Sequence, residues 1–213
     1  VESGILVPEQ QVQEVIDSLA SIIKKIKDKG QALKKIIFLG DIKHFFSFEY
    51  AEKANFFRVL DFLKKHVSEK NIILIRGNHD TMDLGLDLRD YYITEDKQIA
   101  FTHGHQAFSA VFDKKVGCIV IGHLHPSVII EEKPGVKHET FKCFLVGTSR
   151  GKEFIVMPSF LEFYEGTPIN FYSEDFIESF SIIPKKDIMK FRIFVVSDDE
   201  KGTVYEFGTV RDL

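Results

Sequence analysis

At 213 residues, with 44% of them hydrophobic and 28% charged, the chain has the make-up of an ordinary soluble globular protein, with room for one substantial core and one or two domains. A formal net charge of −4 excludes a bulk basic field that would draw the molecule to nucleic acid. No apolar run approaches a membrane span and no signal peptide is visible, which points to a cytoplasmic protein without membrane contact.

The first predicted element is a helix. Val12, Val15, Ile16, Leu19, Ile22, Ile23 and Ile26 fall at helical spacing on one stripe, Pro8 suits its start and Gly30 its stop. Lys24, Lys25, Lys27 and Lys29 on the same helix read as a solvated face. The short apolar run Ile36-Ile37-Phe38-Leu39 then ends at Gly40-Asp41. A second helix is predicted over roughly residues 48–67, carrying Ala51, Ala54, Phe57, Leu60 and Leu63. The run Ile72-Ile73-Leu74-Ile75 follows and ends at Gly77-Asn78-His79-Asp80. Short buried runs alternating with amphipathic helices predict an α/β layout with parallel strands.

From about residue 97 the pattern changes. KQIAFTHGH, VGCIVIGHLHP, SVIIEE, TFKCFLVG, EFIVMPSF and FRIFVVS are strand-like with little helix between them, which predicts a second, mixed or antiparallel sheet packed against the first. No repeat, low-complexity segment or linker divides the chain, so residues 1–213 are expected to form a single domain. Cys118 and Cys143 both lie inside apolar runs and read as buried free thiols in a reducing compartment.

Four of these strand-like runs end in residues suited to metal ions: Gly40-Asp41-Ile42-Lys43-His44, Gly77-Asn78-His79-Asp80, His103-Gly104-His105 and Gly122-His123-Leu124-His125. Ligands in open α/β sheets bind beyond the carboxyl ends of the strands. A glycine at such a point lets the chain turn sharply and lets backbone approach an ion or a phosphate. A carboxylate bridges two cations, while an Asn carbonyl and neutral imidazoles complete the shells. That mixed nitrogen and oxygen set suits Mn, Fe, Zn or Ni better than Ca. Two such ions clamp a phosphate and acidify a water between them.

GD-x-x-H, GNHD, a lone HG and GH-x-H in that order resemble the calcineurin-like metallophosphoesterase superfamily. GILVPEQQ, GDIKH, GNHDT, HGH, GHLHP and IVMPSF resemble in particular its SbcD-related archaeal phosphoesterases and the bacterial phosphoesterases associated with DNA-repair ligases. The resemblance implies a four-layer α/β/β/α fold, in which a two-sheet sandwich is flanked by helices. It implies two divalent metal ions, with Mn as the first expectation, and hydrolysis of a phosphodiester by a metal-activated hydroxide. Asp41 corresponds to the bridging carboxylate; Asn78, His103 and His123 to ligands of one metal; His125 to a ligand of the other. His79 corresponds to the acid that protonates the leaving group, with Asp80 orienting it, and His44 to the histidine that positions the phosphate in nuclease-type members. The family pattern opens with a D-x-H on a first strand. This sequence begins at Val1-Glu2-Ser3-Gly4, and an upstream segment carrying that motif is expected.

His105 has no motif of its own and reads as a residue behind the site or a solvent-facing one. His66 and His138 sit in charged surroundings and are expected to be exposed. In HFFSFEYAEKANFF, phenylalanine at helical spacing is expected to be core rather than a substrate-stacking rim. Asp83, Asp87 and Asp90 read as a solvated loop, and the tail after residue 165 carries no motif. The substrate expected from the resemblance is a nucleic acid or nucleotide phosphodiester, with a homodimer or a protein partner left open. The alternative function is a catalytically incomplete binding module or interaction scaffold on the same fold, favoured by the missing D-x-H and disfavoured by the retained His79.

Overall fold

The computed structural model describes residues 9–42, 50–80, 85–131, 138–171, 181–197 and 202–213, and the elements given are those of the described residues. The chain divides into two compact units, residues 1–89 and 90–213.

In the first unit, α1 (Glu9–Asp28) follows the predicted apolar stripe, with Val12, Val15 and Ile23 buried. Gly30, at φ 69°, lies just beyond its end, where a left-handed residue closes a helix without Cβ strain. Ile22 was expected in the stripe and is instead 45% exposed. At 100° per residue, adjacent isoleucines cannot both face inward, and Ile23 takes the buried position. The lysines at 24, 25, 27 and 29 are exposed, as the charge pattern predicts.

Strands β1 (Ile36–Phe38) and β2 (Ile72–Ile75) pair in parallel, Ile36 opposite Ile72 and Phe38 opposite Leu74. The link between them includes α2 (Tyr50–Lys64), the crossover helix that parallel pairing requires. Phe56 and Leu60 of α2 pack with Ile42, Leu74 and Phe38, and the Phe56 and Phe38 rings meet edge to face at 5.7 Å. Phe56 is therefore core and Phe57 packs against it, while Phe45, Phe46 and Phe48 of the same stretch lie outside the described residues. A third parallel strand, β3 (Leu88–Arg89), pairs on the far side of β2. Two residues are too few for an alternation signal, and the sequence reading took this stretch for loop. His66, expected to be exposed, is half-buried against the Phe62 ring, 4.9 Å between centroids.

The second unit is a mixed sheet whose neighbouring strands are, in order, Thr167–Pro168, Pro126–Glu131, His138–Ser149, Lys152–Val156, Cys118–Ile121, Ile99–Thr102 and Tyr91–Ile93, with Arg192–Val196 joined to His138–Ser149 and Val204–Thr209 to Arg192–Val196. Six predicted runs appear as β5 (Ile99–Thr102), β6 (Cys118–Ile121), β7 (Pro126–Glu131), β8 (His138–Ser149), β9 (Lys152–Val156) and β11 (Arg192–Val196). The turn from β8 to β9 has two residues, Arg150 and Gly151, both at positive φ (51° and 72°), the turn whose twist matches the flanking strands. Four short elements had no signal strong enough to predict: β4 (Tyr91–Ile93), β10 (Thr167–Pro168), α3 (Lys185–Ile188) and β12 (Val204–Thr209). The core of this unit gathers Ile119, Ile121, Val128, Leu145, Phe154, Phe191 and Ile193, all fully buried.

Parallel pairing sets up the chemistry in each unit. Because β1 and β2 run the same way, Asp41 and the 77–80 loop leave the same edge of their sheet. Because β5 and β6 are parallel, with Thr102 opposite Ile121, His103 and His123 also leave one edge together. Among the described residues, no helix is long and apolar enough to cross a membrane.

Candidate metal centre

In the first unit, two loops hold each other through reciprocal carboxylates. Asp80, 4% exposed, accepts at Oδ2 from the backbone N–H of Asp41 (2.9 Å) and of Gly77 (2.8 Å). Asp41, 7% exposed, accepts at Oδ1 from the backbone N–H of His79 (3.1 Å). Gly77 has to be glycine, since a Cβ there would overlap the Asp41 carboxylate and its backbone nitrogen. Two buried carboxylates in one pair of loops concentrate negative charge where a cation would be stabilised. Asn78 and His79 are exposed on the same turn.

In the second unit, three imidazoles cluster. His103 is buried at 1% exposure, and its Nε2 lies 3.1 Å from Nδ1 of His123. Ring centroids are 4.8 Å apart for His103 and His123, 5.3 Å for His103 and His105, and 6.0 Å for His105 and His123. Gly104, at φ 113°, makes the fit possible: a Cβ there would press on the Ile121 side chain at 3.1 Å. The Gly122 N–H donates to the His103 carbonyl at 3.0 Å and so clips the two loops together. The Leu124 N–H then reaches back to the Gly122 carbonyl at 2.7 Å, closing a three-residue turn with His123 at its centre.

Backbone strain marks the same residues. Among the described residues, five other than glycine have positive φ: Asp41 (55°), Lys97 (59°), His123 (62°), His125 (44°) and Arg150 (51°). Lys97 and Arg150 sit in turns between antiparallel strands, where such values are routine. The other three are among the five predicted metal ligands. Strained backbone of this kind costs about 1–3 kcal/mol per residue and persists where the surroundings impose it, which is common at functional sites.

A resident metal can be tested against this donor set. Two nitrogens each about 2.1 Å from an ion, at angles between right and tetrahedral, stand about 3.0–3.4 Å apart. The 3.1 Å between His103 and His123 lies within that range. The imidazole pair of the second unit is a nitrogen donor set of the kind zinc, iron or nickel accepts, and the buried carboxylates of the first unit are, by themselves, oxygen donors of the kind manganese accepts. The residues present fit a divalent ion.

Of the predicted site residues, Asp41, Asn78, His79 and Asp80 come together in the first unit, and His103 and His123 in the second. His125 turns its ring edge-on to Tyr164, with centroids 5.3 Å apart at 74°. His44 lies outside the described residues. His105, which had no motif behind it, proves to belong to the imidazole cluster; its place two residues after His103 was the available signal. Asp80 has a backbone role that its motif did not reveal, bracing two loops.

A sequence profile of the calcineurin-like phosphoesterase superfamily domain matches residues 17–147, more than half of the chain and part of both units. No curated protein matches the chain in sequence. Among solved structures, a Vps29 double mutant from Entamoeba histolytica is similar at 13% identity and TM-score 0.38, over 97% of this chain and 92% of that one. Vps29 from Chaetomium thermophilum is similar at 12% identity and TM-score 0.36, over 82% of this chain and 79% of that one. By the extent of the profile match, and with the ordered motifs sitting on strand ends as the site requires, the chain belongs to the calcineurin-like phosphoesterase superfamily.

Proposed function

We propose that the two units act as one metallophosphoesterase domain that hydrolyses phosphodiesters with two divalent ions, Mn²⁺ first among them. The observation that carries the reading is the His103–His123 nitrogen pair, held 3.1 Å apart at the ends of two parallel strands. Asp41, Asn78, His103, His123 and His125 are the residues that would hold these ions. Divalent ions bound there supply phosphoryl charge neutralisation and an acidified water.

The chain's own residues do the rest. Asp80 keeps Asp41 and Gly77 in register through its two backbone hydrogen bonds, so the ligand loops are set before substrate arrives. Asn78 and His79 are exposed on the turn beside Asp41, and His79 gives its proton to the departing oxygen, with Asp80 behind it. His44 positions the phosphate. Within the superfamily, the GDIKH, GNHDT, HGH, GHLHP and IVMPSF segments support a reading of the chain as a relative of the SbcD-related archaeal phosphoesterases, and two free thiols support a cytoplasmic setting.

The test is hydrolysis of bis(p-nitrophenyl) phosphate. Turnover is expected with Mn²⁺ and not with chelator, and His79→Ala should lower kcat about 10²–10⁴-fold while leaving Mn²⁺ affinity by calorimetry intact. Unchanged turnover in His79→Ala would remove the acid role. Absence of Mn²⁺ binding would overturn the metal reading. Tight Mn²⁺ binding without turnover on any phosphoester would turn the assignment to a binding module on the same fold.

A further inference from the structure

We propose that Tyr164 is a specificity residue whose exposed ring stacks on the base of a substrate nucleoside, so that the site takes small nucleoside phosphodiesters. The inference rests on the phosphoesterase reading and names the substrate class for that site.

The segment that follows β9 is tied down at several points. The Lys142 ammonium donates to the carbonyls of Ser159 and Leu161, and the Leu161 N–H donates to the Ser159 hydroxyl at 3.3 Å. Leu161 is buried at 6% exposure, and the Tyr164 N–H returns to its carbonyl at 3.2 Å. Gly166, at φ 90°, packs against the His125 carbonyl with no room for a Cβ, and the Thr167 N–H donates to that carbonyl at 2.7 Å. The segment is therefore ordered before any ligand binds, which lowers the entropic cost of using it.

Its crown is nevertheless apolar and open, with Phe160 43%, Phe163 47% and Tyr164 44% exposed. Of these, Tyr164 touches the candidate centre, lying edge to face with the His125 ring. A phosphate bound to an ion on His125 would bring its ester group past this tyrosine. An aromatic ring on an anchored loop is what a nucleobase stacks on, whatever its identity. Charge narrows the occupant further. Glu162 and Glu165 flank Tyr164 and are exposed. A nucleic-acid strand would draw a row of phosphates over these carboxylates, whereas a single nucleoside brings a neutral heterocycle.

Calorimetry in excess Mn²⁺ tests this with thymidine 5′-monophosphate and glycerol 3-phosphate, two phosphate monoesters of which only the first carries a base. The wild-type protein should bind the nucleotide about 10-fold more tightly. Tyr164→Ala should bring the two affinities together, Tyr164→Phe should keep them apart, and Mn²⁺ affinity should not move in either variant. Equal affinities in the wild type, or a preference that survives Tyr164→Ala, would overturn the inference. So would a fall in Mn²⁺ affinity with Tyr164→Ala, because Tyr164 would then be acting through His125. Turnover of bis(p-nitrophenyl) phosphate without nucleotide preference leaves the phosphoesterase reading standing and sinks this one; nucleotide preference without turnover on any phosphoester sinks both, because Tyr164 would then bind a nucleotide that is not a substrate.

Discussion

His103 Nε2 and His123 Nδ1 face each other across 3.1 Å at the ends of neighbouring parallel strands. Neither ring gets there by chance of rotamer: Gly104 removes the Cβ that would hold the loops apart, and the Gly122 N–H fastens one loop to the carbonyl of His103 itself. Replacing either imidazole by alanine is expected to weaken Mn²⁺ binding by at least about 100-fold, since the loss of a ligand exceeds the 10–100-fold typical of residues behind one. Calorimetry measures it, with circular dichroism checking that the fold persists. His105→Ala should fall inside the 10–100-fold range, because its ring packs on both others. Equal losses for all three would make His105 a ligand too.

Asp80 links the two ligand loops of the first unit by one oxygen shared between two backbone N–H groups. Asp80→Ala leaves both donors without that acceptor in a buried site, and each is worth about 1–3 kcal/mol when orphaned. A loss of about 2–4 kcal/mol in urea unfolding is expected, together with weaker Mn²⁺ binding as Asp41 loosens. Asp80→Asn keeps a carbonyl oxygen in the same place and should recover more than half of the loss. If asparagine were as damaging as alanine, the negative charge rather than the two hydrogen bonds would be the important feature.

The strand ends were legible in the sequence because they rest on strong local signals. Short, mostly apolar runs with a glycine one or two residues on predict both a strand and the point where it turns, and β2, β5 and β6 fall there. Once the strands are parallel, the residues after them have to share an edge. What escaped notice was either short or tertiary. Leu88–Arg89 and Thr167–Pro168 are strands only because a neighbour offers them hydrogen bonds. Val204–Thr209 forms a strand with five of its six residues exposed, so no buried alternation marks it. The Asp80 brace and the Tyr164–His125 contact join residues 39 apart along the chain, and no spacing rule reaches that far.

Gly77 shows how closely the first-unit loops approach. A methyl group there would occupy the space of the Asp41 carboxylate and of its backbone nitrogen, neither of which can retreat while Asp80 and His79 hold them. Gly77→Ala is expected to cost about 1–3 kcal/mol, the range for overpacking, and to abolish Mn²⁺ binding that depends on Asp41. Gly117→Ala is the control, because the nearest atom to its added carbon is the Gln98 carbonyl oxygen at an ordinary 3.9 Å. Denaturant midpoints for the two variants should separate clearly; coincident midpoints would mean that the loops yield to the extra carbon.

Cys143 offers a pH-dependent readout away from the site. Burial alone pushes its thiol up from 9.0 to about 12, and Cys118 is raised too, first by burial and then by the nearby Glu153 carboxylate. The folded state therefore keeps Cys143 protonated at pH values where the unfolded chain has already lost that proton. Below pH 9 both states carry the proton and its contribution to stability is constant. Between 9 and about 12 the unfolded state binds fewer protons, so the stability tied to this thiol is lost as pH rises through the folded value. Urea midpoints of the wild type should accordingly fall more steeply over that window than those of Cys143→Ala. With Ellman's reagent at pH 8, Cys118 should react slowly in the folded protein and Cys143 only after unfolding, as expected of thiols whose reactive thiolate is suppressed. Rapid labelling of Cys143 in native buffer would show that β8 opens without global unfolding.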